Sequence, residues 1–116
     1  MKPRVLFLVT GDPRVSPRPA EAVRIAAGVG AWGKVEVSLH LHEAAVLALG
    51  EFAGELVDGE YFERYLPLVA ETARAVSVQR DAPLLRELGQ PTVPFDPIDH
   101  SQLAALAASS QSVVRF

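Results

Sequence analysis

Apolar and polar positions run through this chain with two different periods. Val5 to Val9 are five consecutive apolar residues, too short for a membrane span and too continuous for a strand with one wet face. They predict a strand covered on both faces, as in the parallel sheet of an α/β protein. Thr10-Gly11-Asp12-Pro13 stops it, and prolines at 13, 17 and 19 make the next stretch a loop. Ser16 or Pro17 is expected to open the first helix, with Ala22, Val23, Ala26 and Val29 as its apolar stripe. Gly33 follows as a turn residue. Lys34 to His42 then alternates with period two: Val35, Val37, Leu39 and Leu41 on one side, Glu36, Ser38, His40 and His42 on the other. A strand with a polar side is expected near a sheet edge, or bordering a cleft or a partner chain.

Farther along, Glu43 to Leu49 reads as helical and runs into Gly50. Glu51 to Glu63 holds five acidic residues and no basic one, the pattern of a solvated loop and helix start. Tyr61, Phe62, Tyr65, Leu66 and Val69 recur at helix spacing, with Pro67 expected to kink or divide that helix. Its aromatic stripe suits a core or a subunit interface. Arg74 to Gln79 is the third strand, Asp81 the expected cap of a short helix over Ala82 to Leu88, and Gly89 its close. The proline-rich stretch from Gln90 to Pro97 allows only a brief, non-central strand around Val93 to Phe95. Asp99-His100-Ser101-Gln102 is a capping box ahead of a helix that turns Leu103, Leu106 and Ala107 inward. Ser112 to Phe116 closes the chain as a strand tied into the sheet. The alternation predicts an α/β fold in three layers, α/β/α, around a mostly parallel sheet of about five strands. Residues 1–116 form a single domain without repeat or linker.

Composition narrows the chemistry. Cysteine is absent, which removes thiol nucleophiles, thiolate zinc sites and persulfide chemistry. A net charge of −3 argues against nucleic-acid binding, which needs a basic face. No apolar run approaches the roughly 18 residues of a membrane span, and Met1 to Arg4 lead into no signal peptide, so no membrane partner and a cytoplasmic location are expected.

Candidate chemistry gathers where strands end. Neither a phosphate-binding loop nor a dinucleotide fingerprint is present, since Gly28-Val29-Gly30 lies at the end of a helix and not its start. Gly11, Asp12, Arg14 and Ser16 could still hold an anion beside a helix start; exposed arginines on a structural turn are the simpler account. His40 and His42 stand on one strand face roughly 7 Å apart. A metal would need a third ligand, with His100 or Glu43 the convenient ones, so ordinary polar-face histidines are preferred and no metal or cofactor is expected. No serine lies in a nucleophile-elbow setting, and Asp99 is accounted for as a cap.

Taken in order, Val5 to Thr10, Ala20 to Ala27, Val35 to Leu39 leading into Glu43 to Leu47, Ala75 to Ala82, and the closing Ser112-Val-Val-Arg-Phe116 resemble the DsrE/DsrF-like family. This is the sulfur-relay DsrEFH/Tus-like group of small α/β proteins. The resemblance implies that fold and an oligomer, trimeric or hexameric, built through the polar strand face or the aromatic helix. It also implies a persulfide cysteine after the third strand. Here Gln79 stands at or next to that position, and glutamine cannot carry transferable sulfur, so the likeness is to cysteine-free members.

The first expectation is a non-catalytic structural or binding subunit of a homo-oligomer. Its rim at the strand ends would comprise Gly11, Asp12, Arg14, Ser16, His40, His42, Gln79 and Arg80. The second is a small-molecule or anion-binding enzyme using His40, His42 and Arg14. A third is pairing with a cysteine-bearing homologue in a mixed complex.

Overall fold

The structure is a computed structural model and describes residues 2–71 and 75–116. Five strands form one sheet: β1 (Arg4–Val9), β2 (Glu36–Leu41), β3 (Val76–Gln79), β4 (Asp96–Ile98) and β5 (Ser112–Arg115). Their order is β4-β3-β2-β1-β5, and every adjacent pair is parallel. Three α-helices accompany them: α1 (Arg18–Trp32), α2 (Glu60–Val69) and α3 (His100–Ala108). The α/β expectation holds. No helix of the described residues is long and apolar enough to cross a membrane.

The topology makes the two faces of the sheet unequal. The chain steps from β1 to β2, β3 and β4 in one direction, so right-handed crossovers put α1 and α2 on a single face. The return from β4 to β5 passes β3, β2 and β1 and places α3 on the other. Residue alternation agrees. Phe7, Val9, Leu39, Leu41, Val76 and Val78 share a core with Ala22, Val23 and Ala26 of α1 and Phe62 and Leu66 of α2. The opposite pleat presents Leu6, Ser38, His40 and Ser77, all buried but outside that apolar core. Over this second face α3 buries no residue fully; Leu103, Leu106 and Ala107 are half-buried.

Several local expectations shift. For the polar side of β2 the edge alternative fails and the cleft alternative holds: β2 is the middle strand, and its polar face borders cavities. Of its polar residues, Ser38 and His40 are buried on the α3 side, His40 bonding to Ser77 of β3, whereas Glu36 is exposed and pairs with Arg4. Pro67 neither divides nor ends α2, which continues to Val69. The proline removes one donor in the last turn, where the helix is about to stop. Asp81 does not cap the next helix: Pro83–Glu87 is a short 3₁₀ helix with Ala82 before it, and the Asp81 carboxylate accepts from Gln79 instead. Glu43–Leu49 is helical as expected, but of the 3₁₀ type. The fourth strand begins at Asp96 rather than Val93 and lies at an edge, where Pro97 is tolerated. Arg74, read as part of the third strand, lies outside the described residues. Gly33 at φ 79° and Gly89 at φ 64° take the left-handed backbone that closes their helices.

Candidate functional site

Parallel strands end on the same side of a sheet, and the ends of β2, β3 and β4 enclose a cavity of about 320 Å³ against the start of α3. β2 contributes His40 and, one residue beyond the strand, His42. The end of β3 contributes Gln79, Arg80 and Asp81. Ile98, Asp99, His100 and Leu103 complete the wall. A larger opening of about 460 Å³ lies toward the other end of the sheet between α1 and α2, among residues such as Ala27, Gly30 and Val69, and holds neither histidine nor arginine.

The histidines are joined end to end. His40 Nδ1 lies 2.9 Å from the Ser77 hydroxyl on β3, the residue paired with it across the ladder. His40 Nε2 lies 3.4 Å from His42 Nδ1. His42 Nε2 faces Glu43 Oε1 at 4.0 Å. The ring-nitrogen roles depend on the tautomer; in the assignment with the His42 N–H at Nε2, on the Glu43 side, Nδ1 accepts from His40 Nε2–H. His40 Nδ1 is then an acceptor for the Ser77 O–H. His40 is 1% exposed. Burial, and secondarily the neighbouring His42, push its pKa down to about 4, so it is a neutral imidazole near neutral pH.

Gln79 is a clamp. Its Oε1 accepts from the Glu43 backbone N–H at 2.8 Å, and its Nε2 donates to Asp81 Oδ1 at 2.9 Å. Glu43 needs holding, because its φ of 52° is left-handed and costly for a residue with a side chain. Gln79, which the resemblance puts at or next to a sulfur-bearing cysteine, is here an amide fixing the turn after β2.

Arg80 lines the cavity with its guanidinium exposed. It donates to the Pro97 carbonyl at 3.2 Å and to Gln102 Oε1 at 3.4 Å, with Asp99 Oδ2 at 4.0 Å from Nη1. Asp99 itself is occupied as the cap of α3, accepting from the Gln102 N–H at 2.8 Å while Gln102 Oε1 accepts from the Asp99 N–H at 2.8 Å. Both carboxylates of the cavity are therefore engaged internally, whereas the guanidinium is exposed and the outer histidine partly so.

Four of the eight rim residues expected from sequence come together here: His40, His42, Gln79 and Arg80. Gly11, Asp12, Arg14 and Ser16 do not line this cavity. Arg14 is bound by Asp12, Nε to Oδ1 at 3.0 Å and Nη2 to Oδ2 at 2.9 Å, and the Arg14 N–H donates to the same carboxylate at 2.9 Å. That pairing holds Asp12 below the usual carboxylate range. Ser16 accepts from the Arg18 N–H at 3.2 Å, opening α1. The sequence reading missed Ser77, Asp81, Ile98 and Leu103 as wall or network residues, and named His100 only as a possible third ligand beside the two histidines. The signal for Ser77 was available: it occupies the polar phase of its strand as His40 does. Among the described residues no group of three or more His, Asp or Glu side chains is placed to hold a metal.

The chain is similar to a protein of known structure, described as the crystal structure of ychN protein from E. coli. The likeness covers 100% of both chains, with a TM-score of 0.75 and 19% sequence identity. The fold is DsrE-like. At this identity the likeness to YchN concerns architecture: an all-parallel five-stranded sheet with its helices. No family model matches the sequence, and no curated protein matches it.

Proposed function

We propose that this chain is a DsrE-like binding domain without persulfide chemistry, which holds a small anionic molecule at the ends of β2, β3 and β4. One observation carries the reading: the cavity presents the exposed Arg80 guanidinium beside the partly exposed His42, while Asp81 and Asp99 are already satisfied within the protein. A guanidinium is a permanently charged, planar donor set whose geometry matches carboxylate and phosphate oxygens. Ile98 and Leu103 supply an apolar wall, as in most small-molecule sites. Thermal unfolding in the presence of phosphate or succinate tests it. A concentration-dependent rise in Tm is expected in the natural chain and not in Arg80→Ala. Equal rises in both, or none in either, would refute the reading.

We infer as well that the chain is a subunit of a homo-oligomer, a trimer or hexamer. The support is the thin cover of the α3 face together with the edge strand β5, where Val113 is 41% and Val114 38% exposed. Contact with another chain would cover them. A monomeric mass by light scattering would oppose this. Co-purification at native expression distinguishes self-association from pairing with a cysteine-bearing homologue.

A further inference from the structure

Anion binding in the 320 Å³ cavity has no use for Ser77. That residue lines a second cavity, of about 360 Å³, under the other flank of α3 with Ser38, Gln102 and Leu106. Ile98 lines both cavities. The hydrogen bond from Ser77 to His40 thus joins a wall of one cavity to a wall of the other.

We propose that Ser77 is a nucleophile toward small activated acyl esters in the 360 Å³ cavity, with its proton carried through His40 to His42 beside Glu43. A serine hydroxyl attacks carbonyl carbon only when a base takes its proton. His40 Nδ1, at 2.9 Å, is within transfer distance. A single transfer would leave a cation on a buried ring, which its surroundings oppose. The second imidazole removes that difficulty. As Nδ1 takes the Ser77 proton, Nε2 passes its own proton to His42 Nδ1 at 3.4 Å. His40 exchanges one neutral tautomer for the other and is never charged. The positive charge comes to rest on His42, which is 28% exposed with the Glu43 carboxylate 4.0 Å away. Gln79, by fixing the left-handed Glu43 backbone, is a positioning residue for that carboxylate.

The bond changes balance. With p-nitrophenyl acetate, a bond forms between Ser77 Oγ and the carbonyl carbon. The ester C–O bond breaks, p-nitrophenolate departs with the electron pair, and the serine proton leaves to solvent from His42. Water attacks the acetyl-serine in a second step, giving up a proton along the same chain and restoring Ser77 with release of acetate.

Incubation with p-nitrophenyl acetate, followed by peptide mass mapping and phenolate release, tests the assignment. Acetylation is expected at Ser77 and is expected to vanish in Ser77→Ala. His42→Ala, at a half-buried position outside the core, should slow it by at least about tenfold, and His40→Gln should do the same while keeping a hydrogen-bonding partner for Ser77. Absence of acetyl-Ser77 in natively folded protein would overturn the proposal. So would acetylation of Ser77 at an unchanged rate in His42→Ala, or phenolate release undiminished in Ser77→Ala.

Discussion

His40 and Ser77 stand opposite each other on the two central-most polar positions of neighbouring parallel strands, and their side chains meet at 2.9 Å beneath α3. Each is buried, and each is the other's partner. Replacing Ser77 by Ala removes the donor with the loss of a single oxygen atom, leaving a buried imidazole nitrogen without its hydrogen bond. The expected cost is about 1–3 kcal/mol, read from urea unfolding. An unchanged midpoint would mean that the pair is dispensable to the fold.

The burial of His40 gives stability a defined pH dependence. The unfolded chain takes up a proton on this ring near pH 6.5, whereas the folded chain resists until about 4. Between those values the unfolded state binds more protons, so stability falls as pH falls. The contribution is fully present above about 6.5 and declines by about 3 kcal/mol by about pH 4. Denaturant titrations across that range check it, and His40→Gln should lose this part of the slope.

Gln79→Ala removes both ends of the clamp that holds the Glu43 amide and the Asp81 carboxylate. A loss of about 1–2 kcal/mol is expected, concentrated in the turn after β2. Hydrogen exchange locates it: the amide of Glu43 should lose protection while those of β1 keep theirs.

The capping box at the start of α3 is both a helix terminus and a wall of the cavity. Asp99→Ala should cost about 0.5–2 kcal/mol through the lost cap. It also removes the carboxylate nearest Arg80, so an anion at Arg80 should bind more tightly in the variant. Calorimetric titration with phosphate measures this.

What sequence could show follows from how local each cause is. The apolar strand Val5–Val9 and the Asp99 to Gln102 box depend on neighbours in the chain, and both are found where expected. The position of β2 was not legible. Alternation of apolar with polar residues is the same whether the polar side faces water or pairs internally, as His40 does with Ser77. The rim residues after β2 and β3 were legible because adjacent parallel strands end together. Arg14 was not, because its charge is taken up by Asp12 two residues earlier. The role of Gln79 was hidden by the left-handed Glu43, a conformation that no glycine or asparagine announces.

The binding claim turns on where an anion lands. A nuclear magnetic resonance titration of the isotopically labelled chain with sodium phosphate, following backbone amides, the Arg80 guanidinium and the imidazoles of His42 and His100, tests it most directly. Saturable shifts confined to the ends of β2 and β3 and the start of α3, abolished by Arg80→Ala, are predicted. Shifts centred instead on Arg14 and Arg18, or no saturable shift at Arg80 and His42, would contradict the account.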